Sequence, residues 1–137
     1  METKPNMTKK ERDCLLTIYN EEKSSGLPLR LVDVARSLKV KPPTALELLG
    51  RLESKGYVER RRGLISLSES GREAARGILT VHRALEVFFA SCGLSADDAC
   101  GLVAQFDYIV GPSMAPKILS ALGNPSKCPH GYPIQPQ

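Results

Sequence analysis

Two donor side chains, Cys128 and His130, stand two apart in the string "KCPHGYPIQPQ", between prolines and with no helical pattern to hold them. Thiolate and imidazole both bind transition metals, but two donors on an extended segment do not complete a four- or six-coordinate site. The string therefore either borrows ligands from elsewhere in the chain or serves only as a packing strap or remnant. A second chemistry lies in the cations Lys39, Lys41 and Arg51 and the run Arg60, Arg61, Arg62. Such residues suit phosphate oxygens, which supply affinity and salt dependence but no sequence information. Catalysis has no comparable support. With two histidines, no Gly-rich phosphate loop and no Ser/His/Asp or paired-carboxylate pattern, the chain is not expected to be an enzyme.

The 137 residues carry a net charge of +4, unevenly placed: residues 1–80 are +5 and residues 81–137 are −1. A basic first half suits a polyanionic partner, with a solvated surface as the plainer alternative. Apolar residues make up 42% and charged residues 25% of the chain, ordinary values for a globular protein. No apolar run approaches the roughly 18 residues of a membrane span, and the start, "METKPNMTKK", has no secretory h-region, so a cytoplasmic protein with no membrane partner is expected. The cysteines Cys14, Cys92, Cys100 and Cys128 show no paired spacing, so they are expected as thiols or ligands, with Cys14 and Cys92 in the core.

These residues must be positioned by mainly helical elements. Thr8 and Glu11 have capping-box spacing ahead of a first helix that ends at Gly26 and Pro28. "LRLVDVARSL" and "KPPTALELLGRLESKG" read as two short helices joined by a tight turn, a helix-turn-helix. "YVERRRGLISLSE" reads as a β-hairpin, the wing. A long helix then runs from near Ser70 to Gly93, with Ile78, Leu79, Leu85, Phe88 and Phe89 on its apolar face. "SADDACGLVAQFDYIV" and "SMAPKILSALG" supply further helices, and the four prolines after Asn124 suggest an extended tail. The fold class is thus mainly α with a small β-hairpin wing. A winged helix-turn-helix domain (1–70) precedes a helical domain (71–123) and an extended Pro-rich tail (124–137).

In a winged helix the second helix of the pair enters the major groove, and Pro43 to Lys55 would span about 20 Å at 1.5 Å per residue. Pro42, Pro43 and Thr44 would meet double-stranded DNA first. Glu47, one turn in, either accepts from a cytosine amino group or points away from the groove. A winged-helix module that binds protein is the competing reading.

From Thr8 to Ile134 the chain resembles the diphtheria toxin repressor family, which includes the manganese-transport regulators. The carriers are "LLTIY", "VARSLKVKPPTALELLGRLESKGYVE", "LISLSESGREAA", "HRALEVFF" and "LGNPSKCPHGYPI". The last string stands just before an SH3-like third domain in longer members, and with the chain ending at Gln137 that domain is expected to be absent. The resemblance implies a homodimer on a palindromic operator, with the helical domain binding divalent metal and dimerising.

It also implies ligands. His82 and Glu86 match the family's His-x-x-x-Glu, one turn apart on one helix face. Asp13 falls where manganese-sensing members place an aspartate, Asp107 where the family has a glutamate, and Cys100 where iron-sensing members have a histidine. Ala104 and Tyr108 replace two ligands of the usual primary site, and Leu16 stands where some manganese members carry glutamate. The implied set is His82, Glu86 and Cys100, completed by Asp13 or Asp107 and by Cys128 or His130. Its donors favour Fe(II), then Zn(II), Co(II) or Ni(II), over Mn(II). The alternatives stay open: a metal-free His82–Glu86 pair, a packed Cys100, an Asp13 that serves only the helix dipole, and a regulator that has lost metal control and senses oxidation of Cys100 or Cys128, or a small ligand.

Overall fold

The computed structural model describes residues 7–26 and 28–136. They divide into two compact units, residues 7–75 and residues 76 onward.

The first unit begins with α1 (Lys9–Ser25), whose N-terminus carries the expected reciprocal box: Glu11 N donates to Thr8 Oγ1, and Thr8 N donates to Glu11 Oε1. α2 (Leu31–Leu38) and α3 (Pro42–Ser54) are separated by only three residues. Lys39 makes that turn possible by adopting a left-handed backbone, φ 59°. Prolines in the first turn of α3 cost no hydrogen bond, because those N–H groups have no intrahelical partner. Ala45, Leu48, Leu49 and Leu52 form its buried stripe and pack with Leu15, Ile18 and Val34 in the core.

The wing is an antiparallel pair, β1 (Val58–Arg61) and β2 (Leu64–Leu67), in register Val58↔Leu67 through Arg61↔Leu64. Arg62 and Gly63, at φ 53° and 77°, close it as a two-residue turn that needs left-handed backbone at both positions. Leu29 adds a bridge to Ile65 on the other side. Ser68 joins wing to helix: its Oγ accepts from Gly71 N at 3.0 Å and donates to Gly56 O at 2.6 Å. Gly71 is required here, since a Cβ would lie 2.1 Å from Tyr57 O.

α4 (Glu69–Ser91) continues into the second unit, followed by α5 (Ala96–Val103), α6 (Asp107–Val110), a short 3-10 turn (Pro112–Met114) and α7 (Ala115–Ala121). Ser95 caps α5, accepting from Asp98 N. The stretch 95–110 is not one helix. It breaks at Ala104–Phe106, and α6 starts afresh with Asp107 buried in its first turn.

Two expectations are corrected. The tail is closed rather than extended: Cys128 N donates to Tyr132 O, Gly131 N to Cys128 O, and Ile134 N to Ser126 O, at 2.8–3.0 Å. Its prolines forbid a helix but not this turn, and burial of Cys128 and Ile134 stabilises it. Arg83 holds it in place, donating to Pro133 O at 2.8 Å with its guanidinium 5.3 Å from the Tyr132 ring centre. Cys92 is exposed rather than in the core, because it follows the last turn of α4, where the apolar stripe has ended.

Candidate metal centre and nucleic-acid interface

α4 carries His82 and Glu86 one turn apart, both almost fully buried at 6% and 2% exposure. His82 Nδ1 lies 2.7 Å from Asp107 Oδ2, and Asp107 is itself 1% exposed. A carboxylate at that distance accepts a hydrogen bond from Nδ1–H, and in that tautomer the Nε2 lone pair faces Glu86 Oε1 at 3.3 Å and Cys100 Sγ at 3.4 Å. Asp107 therefore sits behind the imidazole, on the side away from the other donors.

His130 repeats the arrangement in mirror form. Its Nε2 lies 2.8 Å from Asp97 Oδ1, and its Nδ1 lies 3.3 Å from Glu86 Oε2. The hydrogen bond to Asp97, outweighing desolvation and helped by Glu86, holds the His130 pKa above the usual imidazole value. Glu86 Oε2 is wholly buried and accepts no properly directed hydrogen bond. An anionic oxygen left in that condition is costly unless a cation completes it.

Donor atoms of His82, Glu86 and Cys100 lie within 4.8 Å of one another, as do those of Glu86, Cys128 and His130. The first group fits a transition metal. Bonds of about 2.0–2.1 Å to nitrogen and oxygen and about 2.3 Å to thiolate put tetrahedral neighbours about 3.3–3.6 Å apart, against 3.3 and 3.4 Å here.

The structure thus brings together His82, Glu86 and Cys100, with Asp107 behind His82, and groups Cys128 and His130 with Glu86, His130 facing its second oxygen. Asp13 belongs to the first unit, where its carboxylate is held by Lys9 Nζ at 2.7 Å and Arg12 Nη1 at 2.9 Å. Sequence reasoning missed Asp97 and Arg83. Asp97 reads as an ordinary acidic residue in a helix first turn, and nothing in the sequence links it to His130, 33 positions away.

In the first unit, Lys39, Lys41, Pro42, Pro43 and Thr44 are all exposed at the start of α3. Leu46, further along the same face, is 48% exposed. Glu47 is bound by Arg51 at 2.5 Å, and Arg60 by Glu53 at 2.6 Å. Arg61 and Arg62 stand exposed at the tip of the wing. Behind α3, buried Glu11 receives Lys55 Nζ at 2.5 Å and has Arg51 at 4.0 Å. Burial pushes its carboxyl up, but Lys55, the Thr8 N–H and Arg51 together outweigh this and hold it below the usual carboxylate range.

The family model described as iron dependent repressor, N-terminal DNA binding domain matches residues 6–64. The companion model, iron dependent repressor, metal binding and dimerisation domain, matches residues 68–136. The chain belongs to the iron-dependent repressor family. Its winged helix corresponds to the family's DNA-binding domain and its helical unit to the family's metal-binding and dimerisation domain. An uncharacterised HTH-type transcriptional regulator of Aeropyrum pernix is 32% identical over 117 residues, 82% of this chain and 65% of that protein. Among solved structures, hypothetical protein SSo2273 from Sulfolobus solfataricus superposes with a TM-score of 0.79 at 30% identity, covering 93% of this repressor-family chain and 98% of that one. A manganese-dependent transcriptional repressor in complex with manganese superposes at 0.78 with 29% identity, covering 90% and 57%. The chain therefore spans under two thirds of the Aeropyrum regulator and little more than half of the manganese-dependent repressor. Among the described residues no helix is long and apolar enough to cross a membrane.

Proposed function

We infer that this protein is a homodimeric, cytoplasmic transcriptional regulator that binds a palindromic operator under the control of a divalent transition metal. The observation that carries the reading is His82. Its Nδ1 is anchored by a buried carboxylate while its Nε2 is presented to Glu86 and Cys100 at metal-ligand spacing. His82, Glu86 and Cys100 would hold the cation, with Asp107 as a positioning residue that fixes the tautomer and orientation of the ring. Bound there, the metal supplies positive charge to a buried, carboxylate-rich pocket. The mixed sulfur, nitrogen and oxygen set suits Fe(II) first, with Zn(II), Co(II) and Ni(II) ahead of Mn(II).

In the same unit Phe88, Leu102, Ile109 and Met114 are large apolar side chains 39–53% exposed, a surface suited to self-association. Two recognition helices related by a dimer axis read half-sites about one DNA turn apart, which is why the operator is expected to be palindromic. Lys39, Lys41 and the wing arginines Arg61 and Arg62 would contact phosphates. Pro42, Pro43 and Thr44 face base edges, and Glu47 does so once Arg51 turns to the backbone.

The test is selection and footprinting of bound duplex DNA with Fe(II), Mn(II), Zn(II), Co(II) or Ni(II) under anaerobic conditions, and with chelator. A palindromic site protected only with metal is expected. DNA affinity unchanged by every metal and by chelation would overturn the reading.

A further inference from the structure

The buried stripe of α3, Ala45, Leu48, Leu49 and Leu52, recurs at intervals of three and four residues. Pro43, Leu46, Glu47 and Gly50 repeat the same intervals two positions earlier, about 200° around the helix, so they stand opposite the core. On that face Leu46 is 48% exposed. It and Val32 on α2 are the large apolar side chains exposed among the described residues of the first unit. Gly50 lies one turn beyond Leu46, inside the helix. Its backbone is not left-handed, and a Cβ there would meet nothing within 4 Å, so neither a turn nor packing within the unit calls for glycine. Glycine nevertheless weakens a helix interior relative to alanine. Helical side chains lean toward the N-terminus, so a side chain at position 50 would lie over the turn that carries Leu46. With glycine there, Leu46 is left open on that side.

We propose that Leu46 is a specificity-determining residue that reads the 5-methyl group of a thymine in the major groove, and that Gly50 clears the approach of the duplex to it. This rests on the reading of the chain as an operator-binding regulator and adds the base read at one position of each half-site. Charge selects the occupant. Lys39 and Lys41 lead into α3, and Arg61 and Arg62 stand exposed at the wing tip, a cationic setting that fits phosphates and is unlike the charge-depleted centre of a protein interface. In a groove docked through its phosphates, the apolar group on the base edges is the thymine methyl. An isobutyl side chain buries that methyl, and it leaves the amino group of a cytosine or adenine at the same place without a partner. The neighbouring Glu47 is held by Arg51 at 2.5 Å, so on this face Leu46 offers a contact that needs no ion pair to open first.

The probe is the tightest-binding duplex that the metal-loaded full chain selects from a random-sequence library, with each thymine replaced in turn by uracil, which removes only the methyl group. At one position in each half-site, uracil should weaken binding about fourfold, and about 15-fold with both half-sites changed, the fold-changes of one and two buried methyl groups. Leu46→Ala should bind the thymine duplex as weakly as the parent binds the uracil one, and should not distinguish the two. Its denaturant midpoint should stay near the parent's, since the side chain removed is exposed. Gly50→Ala should raise the midpoint and yet weaken binding to the thymine duplex. If no uracil replacement weakens binding, or if the loss persists undiminished in Leu46→Ala, the proposal is overturned while operator binding stands. A changed oligomeric state of Leu46→Ala with its thymine preference intact makes the face a contact between copies and overturns the proposal equally. Undiminished binding by Gly50→Ala overturns the role of Gly50. Recovery of no preferred duplex overturns both this inference and the function it rests on.

Discussion

Replacing Asp107 with asparagine separates two roles that the same residue allows. In the structure its Oδ2 lies 2.7 Å from His82 Nδ1, with both side chains buried, so the contact is a charge-assisted hydrogen bond shielded from water. Asparagine keeps the size and an acceptor oxygen but removes the charge that holds the ring in one tautomer and orientation. Loss of such support behind a metal-bound histidine typically costs 10–100-fold in metal affinity, about 1.4–2.7 kcal/mol. The expected outcome is a weakening in that range with the coordination chemistry intact. Competition against a chromogenic chelator, using Zn(II) for affinity and Co(II) for the ligand-field spectrum, measures both. Thermal denaturation of the metal-free protein checks that folding is preserved. Affinity equal to that of the parent protein refutes the positioning role. A loss well beyond 100-fold with an altered Co(II) spectrum refutes it differently, by making Asp107 a ligand, as the family resemblance implies.

Three further outcomes follow from the geometry. Glu11 has its pKa lowered by Lys55, Thr8 and Arg51 against the cost of burial, so it stabilises the fold above the ordinary carboxyl value of 4.5, and that contribution is lost as pH falls through the lower folded value. Glu11→Gln should therefore lower the denaturant midpoint at pH 7 and flatten its decline on acidification; an unchanged acid slope would count against the argument. Gly71→Ala puts a methyl group 2.1 Å from Tyr57 O, a backbone atom, and should cost about 1–3 kcal/mol by denaturant titration, since overpacking here displaces main chain. Cys14, fully buried and with a pKa pushed up to about 12 by burial and by Asp13 and Glu11, should resist alkylation in the native protein while exposed Cys92 reacts; mass spectrometry of labelled peptides decides.

The parts legible in the sequence were those fixed by local spacing. The Thr8–Glu11 box, the prolines that open α3 and the alternation of the wing each involve residues within a few positions of one another, where one element's geometry determines who meets whom. The His82–Glu86 pair belongs to that class, because residues four apart share a helix face. The break after Val103 was not legible. "CGLVAQFDYIV" is continuously helix-compatible, and only tertiary packing makes burying Asp107 against His82 better than another helical turn. The closure of the tail was illegible for the same reason. Four prolines argue against regular structure, but they say nothing about a turn whose partners are Arg83, Asp97 and Glu86, 33 to 50 positions away.

The same difference between local and long-range contacts separates a strap from a metal site at Cys128 and His130. In sequence they lack an element and a third donor, so a strap or remnant is as good a reading as a site. In the structure the segment is closed by its own backbone hydrogen bonds, which limits the ordering entropy a bound metal would have to offset. A strap needs Cys128 and Ile134 buried and Arg83 on Pro133. It has no need of His130 Nδ1 against a buried carboxylate oxygen. Arg83→Ala separates the two. If the turn is held chiefly as a strap, the substitution should loosen it equally with and without metal. If the metal ties it down, hydrogen exchange of the Cys128 and Ile134 amides should accelerate in the metal-free protein and return close to the parent rate on loading with Co(II). Equal protection in both states would refute metal anchoring of the tail.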